Sequence, residues 1–279
     1  MAPDPDAPGR RAGEASIGEA FAAARGEGRA ALMPYLMAGF PTPEISLEIA
    51  RAYAGAGADL VEVGVPFSDP LADGPVIHQA GTQALAAGAT LDTALELCSE
   101  LAGSVAPVVM CYANMVLTVG AIRFAAQLAD AGAAGAIVPD MPLEEGVEVR
   151  QELAARGLAM VPLVAPTTPA ERRRRICEAA SGFVYVVSDT GVTGERGELP
   201  PALRDLVSAV RDEASVPAAV GFGIGTPAQA AAVGEIADGV IIGSRLVRLA
   251  GEADGDESPA QAVAEFLRET RQAMAGTHA

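Results

Sequence analysis

Two carboxylates give the first chemical signal in this sequence. Glu62 sits inside the apolar run DLVEVGV at 59–65, where alternation puts Leu60, Glu62 and Gly64 on one face and Val61, Val63 and Val65 on the other. A valine face suits packing against helices, so Glu62 is turned to the interior. Burial there disfavours the charged form and raises the pKa, which makes a carboxyl a proton shuttle near neutral pH. The competing reading is a structural Glu held by a salt bridge. Asp73 follows in PLADGP, and alone it reads as an Asp-Gly turn. Beside Glu62 it becomes a second acid in a wetter setting, and two acids with separated pKa values suit acid–base work.

Glycine-rich runs give the second signal. GFGIGTP at 221–227 and GSRLV at 243–247 resemble loops that cradle phosphate, because glycine lets an anion approach backbone N–H groups closely. Gly191, Gly194 and Gly197 in TGVTGERG suit a flexible lid. Each run by itself reads equally well as a turn. The arginines at 172–175 read as a solvated helix face on the side of the helix-to-strand turns, flanked by Glu171 and Glu178. His78 reads as exposed, and Met110, Met115, Met141 and Met160 read as core gap-fillers. Tyr35, Tyr112 and Tyr185 lie toward the ends of three strands, where they would line an aromatic pocket or pack the interior.

These residues need a scaffold, and the chain supplies alternating apolar runs and Ala-rich helical stretches. Strands are expected at 31–39, 59–65, 105–113, 135–140, 158–166, 182–188, 216–223 and 238–244. Helices are expected near 43–56, 79–102, 120–131, 144–155, 169–180, 201–213, 226–234 and 258–275, after a first one at about 15–28. Eight such βα units predict an α/β chain folded as a single (β/α)8 barrel with an extra N-terminal helix. The barrel domain is expected to span 14–279, behind a mobile tail at 1–13 rich in Pro, Asp and Gly. In that architecture chemistry belongs to the loops that leave the strands, and the informative motifs all follow strands.

Composition removes several function classes. The net charge is −17, which leaves no basic surface for nucleic acid or anionic membranes. The chain has no lysine, so Schiff-base chemistry is excluded. Two histidines and three widely spaced cysteines suggest neither a zinc site nor a disulfide framework. No apolar run approaches the roughly 20 residues of a membrane span, and the first residues do not read as a secretory signal. The expected location is cytoplasmic.

The run LVEVGVPFSDPLADGP at 60–75 is similar to the signature of the tryptophan synthase alpha subunit family. MCYAN (110–114), VPDMPLEE (138–145), GVTGER (191–196), GFGIGTP and GSRLV recur in the family's order, so the resemblance covers about 30–250. It implies retro-aldol cleavage of indole-3-glycerol phosphate to indole and glyceraldehyde 3-phosphate, a lyase step of tryptophan biosynthesis. By resemblance, Glu62 is the catalytic proton carrier and Asp73 stabilises positive charge on the indole ring. Tyr35, Met110, Ile137 and Tyr185 match indole-pocket positions, while Gly194, Gly223, Gly243 and Ser244 match phosphate-binding positions. Thr193 matches a lid residue that orders Asp73.

The resemblance also implies no cofactor in this chain and a pyridoxal-phosphate beta subunit as partner, in an alpha2beta2 heterotetramer. Pro66, Asp69, Pro70, Asn114 and Pro142 match the surface that meets that partner. The sequence departs from the family at Asp189, at Gly225 where Ser is common, and at Tyr35 where Phe is frequent. Two alternatives remain: a stand-alone lyase that releases free indole, and a barrel kept as a binding or allosteric subunit.

Overall fold

A computed structural model describes residues 13–188, 199–221, 223–252 and 258–278. The chain opens with α1 (Gly13–Gly26), β1 (Ala31–Met37), α2 (Pro43–Gly55), β2 (Leu60–Gly64), α3 (Pro75–Ala86) and α4 (Leu91–Leu101). There follow β3 (Ala106–Met110), α5 (Ala113–Val119), α6 (Ala121–Asp130), β4 (Gly135–Ile137), α7 (Val147–Ala154), β5 (Ala159–Val161) and β6 (Leu163–Val164). The last part contains α8 (Ala170–Glu178), β7 (Val184–Val187), α9 (Pro201–Glu213), β8 (Ala218–Gly221), α10 (Pro227–Gly234), β9 (Gly239–Ile242), α11 (Ser244–Glu252) and α12 (Pro259–Ala273).

Every strand pairing is parallel, in the order β5-β4-β3-β2-β1-β9-β8-β7-β6. β1 pairs with both β2 and β9, so the first strand meets the last. Only Pro162 separates β5 from β6, and its missing N–H interrupts the ladder. Its carbonyl still accepts the Tyr185 N–H at 2.9 Å. Since β5 pairs with β4 and β6 with β7, the two are halves of one bent stave. The result is the expected (β/α)8 TIM barrel, with its fifth strand divided.

Helix starts follow from local chemistry. Thr42, Thr226 and Ser258 cap α2, α10 and α12 by accepting the N–H three residues on, at 3.2–3.3 Å, and each precedes a proline whose fixed φ suits a first helical position. The stretch 79–102 is two helices rather than one, because Gly88 turns the chain at φ +86 between α3 and α4. α5 and α11 lie where the sequence reads as loops after β3 and β9, and both are short.

The core has two layers. Val61, Val63 and Val65 pack outward among the helices, whereas Leu60 joins Met33, Val108, Ile137, Val161 and Ile241 inside the barrel. Ile17 and Phe21 of α1 belong to the interior layer, and the Phe21 and Phe183 rings lie 5.8 Å apart. Glu14 at the start of α1 donates its N–H to Gly157 and accepts that of Gly182, both in helix-to-strand turns. The extra helix therefore plugs the end of the barrel opposite the strand-leaving loops. Cys98, Cys111 and Cys177 are buried free thiols. Among the described residues no helix is long and apolar enough to cross a membrane.

Candidate active site

Glu62 occupies the middle of β2, beside Tyr35 of β1 and Val108 of β3, and is 4% exposed. Burial raises its pKa to about 8, with the Asp73 charge a further upward influence. No cation pairs with it among the described residues, so the salt-bridged structural reading has no support. Asp73 lies on the loop between β2 and α3, half-buried. Burial raises its pKa too, while a hydrogen bond from Tyr112 and the charge of His78 pull the other way. The two acids thus sit in unequal settings on one rim.

Both line a cavity of about 670 Å³ at the C-terminal ends of the strands. Its apolar wall includes Tyr35, Ile77, Met110, Leu163, Tyr185 and Ile241. The two tyrosine rings reach across neighbouring strands because Gly64 and Gly221 carry no Cβ: an added methyl would collide with the Tyr35 hydroxyl at Gly64 and with the Tyr185 hydroxyl at Gly221. Ile137, the β4 partner of Met110, is fully buried in the interior layer and is not among the residues that line the cavity.

Gly223, Gly225, Gly243 and Ser244 line the same cavity. Gly223 has φ +79, a left-handed conformation that glycine adopts without strain. Gly243 differs, since a Cβ there would meet Tyr35 at an ordinary 3.7 Å, so the resting fold does not demand glycine. Ser244 opens α11, whose first N–H groups lack partners within the helix and point the helix's positive end at the cavity rim. The Gly225 N–H is already bonded to the Gln229 side chain at 2.8 Å.

Thr193 and Gly194, with Asp189, Gly191 and Gly197, lie outside the described residues. Sequence reasoning missed Arg245 and Arg248, which line the cavity from α11; their spacing within the helix signals a shared face once α11 is recognised. It also misassigned the arginines at 172–175. α8 follows β6, so they begin on the strand-leaving side rather than at the helix-to-strand turns; Arg172 and Arg175 reach Glu144, and Arg173 reaches Glu213 at 2.8 Å. His78 is exposed as expected.

A closed parallel barrel with a buried acid on its second strand and a rim cavity walled by glycine loops and aromatic rings defines an α/β-barrel enzyme. The chain belongs to the tryptophan synthase alpha chain family, whose model matches residues 21–275. The tryptophan synthase alpha chain of Carboxydothermus hydrogenoformans is 49% identical over 237 residues, covering 84% of this chain and 88% of that one. That of Prochlorococcus marinus is 46% identical over 263 residues, covering 93% and 95%. Among solved structures, a Mycobacterium tuberculosis tryptophan synthase chain matches with TM-score 0.86 at 35% identity, covering 95% of this chain and 99% of that one. Tryptophan synthase subunit alpha from Legionella pneumophila matches with TM-score 0.85, also at 35%, covering 93% and 98%.

Proposed function

We propose that this chain is the lyase of tryptophan biosynthesis that cleaves indole-3-glycerol phosphate into indole and glyceraldehyde 3-phosphate, with Glu62 and Asp73 as its catalytic groups. The observation that carries this reading is the buried Glu62, with no paired cation among the described residues, sharing one cavity with Asp73. Glu62, protonated at neutral pH, gives its proton to indole C3. The ring becomes an indolenine cation, whose N–H⁺ the Asp73 carboxylate stabilises. The Glu62 carboxylate then takes the proton of the adjacent glycerol hydroxyl, the C–C bond breaks, and its electrons return to the ring. Glu62 ends protonated, so the cycle closes without a lysine or a metal.

The indole would lie against Tyr35, Met110 and Tyr185, with Ile137 buried beside Met110 on the neighbouring strand. Its phosphate would reach the backbone N–H groups near Gly223, Gly243 and Ser244, with Thr193 and Gly194 contributing from the segment outside the described residues. Residues 14–279 serve as one catalytic domain in this reading. Pyridoxal phosphate belongs to a beta subunit, the assembly is alpha2beta2, and the location is the cytoplasm. Asp69, Asn114 and Pro142 are exposed on the rim, as are Leu71 and Leu117, which offers that partner a mixed apolar surface; Pro66 is buried and contributes only indirectly.

The test is indole release from indole-3-glycerol phosphate, with and without a tryptophan synthase beta subunit. Release that rises on titrating the partner is the expected result. Rapid release that stays flat, with no complex at micromolar concentration, favours the stand-alone lyase. No release in either case removes the proposed reaction.

A further inference from the structure

Among the described residues, the charged side chains that line the cavity are Glu62, Asp73 and the two arginines of α11, Arg245 and Arg248. Neither arginine forms an ion pair with a described carboxylate, Glu62 and Asp73 included. Arg245 directly follows Gly243 and Ser244 and is the second residue of α11. That place is costly for it in two ways. A cation in the first turn of a helix faces the positive end of the helix dipole. Its Nε is also buried with no hydrogen-bond partner among the described residues, so an N–H gives up water and gains no acceptor. Phe266 of α12 holds the guanidinium, with Cζ 5.6 Å from the ring centroid. A ring face steadies the charge but leaves the Nε–H without an oxygen. Arg248 lies one turn further along the same helix face and is exposed.

An anion in the cavity removes both costs together. Its charge suits the helix end, and its oxygens accept from the guanidinium, whose planar fork of donors matches a phosphate group. The chain as a whole carries a charge of −17, so a dianion entering it meets repulsion that two full positive charges at the cavity offset. We propose that Arg245, with Arg248 as a more distant second charge, is a specificity-determining residue that binds the substrate's phosphate through its side chain. Charge then selects the phosphate, besides the close approach that the glycine backbone permits. The proposal rests on the reading of indole-3-glycerol phosphate as substrate.

The probes are glycerol 3-phosphate, which carries the phosphate without the ring, and indole, which carries the ring without the phosphate. Calorimetric titration of the whole chain reads both. Arg245→Met removes the charge and keeps an unbranched side chain that can rest on Phe266 through its sulfur. Kd for glycerol 3-phosphate should rise about tenfold or more, as for the loss of a hydrogen bond to a charged group, while Kd for indole stays within about twofold. Arg245→Lys restores the charge without the fork and should recover part of the loss. Arg248→Met should cost less, about threefold, because water screens an exposed charge. KM for indole-3-glycerol phosphate should rise with the Arg245→Met loss, and by more than kcat falls. Arg245→Gln is a second neutral variant, read in the same way if Arg245→Met does not fold. Glycerol 3-phosphate affinity within about twofold of the unaltered chain overturns the proposal. So does an equal loss for both probes, which would make Arg245 structural, and so does an unaltered chain that binds no glycerol 3-phosphate at millimolar concentration. If glycerol 3-phosphate responds as expected but the unaltered chain releases no indole, the proposed reaction fails and the anion-binding role of Arg245 stands.

Discussion

Holding a carboxyl in its protonated form at neutral pH requires that folding itself work against ionisation, and Glu62 meets that condition through burial. The folded pKa lies near 8, above the ordinary 4.5, so the native state binds the Glu62 proton more tightly than the unfolded chain does. This contribution to stability is complete below about pH 4.5 and is lost as pH rises through 8. Glu62→Gln removes the titration while keeping the volume. It should melt several degrees higher than the unaltered chain above pH 8, with the gap closing toward pH 5, as a calorimetric series would show. The same substitution should lower indole release by roughly 10²–10⁴-fold, the usual worth of a general acid–base group. In the unaltered chain, indole release should decline as pH rises through 8, since ionised Glu62 has no proton for indole C3. A variant that keeps activity within tenfold would make Glu62 structural.

Among the elements, α1 ties the ends of the chain's story to its centre. Its Phe21 is 3% exposed and packs its ring, tilted by 50°, against Phe183 inside the barrel. Phe21→Ala should destabilise the fold by about 3–5 kcal/mol in urea unfolding, as for other large-to-small changes in a core. Because the plug lies at the end remote from the rim, KM for indole-3-glycerol phosphate should stay within about twofold; a larger change would mean that the plug reaches the site through the interior layer. The sequence made most of this legible. Val61, Val63 and Val65 alternating with Glu62 revealed both the strand and the direction of the acid, because period-2 packing leaves a direct trace in residue types. α5 and α11 were not legible, since seven and nine residues of mixed apolar character fit a strand exit as well as a helix. Missing α11 hid Arg245 and Arg248, and Tyr112 stayed ambiguous because its partners, Phe67 and Ala72, are joined to it only by the fold.

For the whole molecule, the joining of β1 to β9 brings the two ends of the described chain together. Arg29 clasps Asp59 (Nη2 to Oδ1 2.7 Å), Arg271 of α12 meets Glu27 at 2.6 Å, and the His278 N–H reaches the Gly28 carbonyl at 3.1 Å. The Arg271 and His278 contacts bind the closing segment to the opening one. During synthesis, however, β1 leaves the ribosome long before its last neighbour exists. At 5–20 residues per second, the interval before Gly239–Ile242 is made is on the order of 10–40 s, and throughout it one edge of β1 has no strand to pair with. A bare hydrophobic edge is a template for association with other chains. A chain ended before Gly239 should therefore be recovered in inclusion bodies or bound to a holdase chaperone, and soluble, cooperatively unfolding material from it would contradict this. Ring closure makes the nascent barrel a client of cellular folding assistance until its final strand arrives.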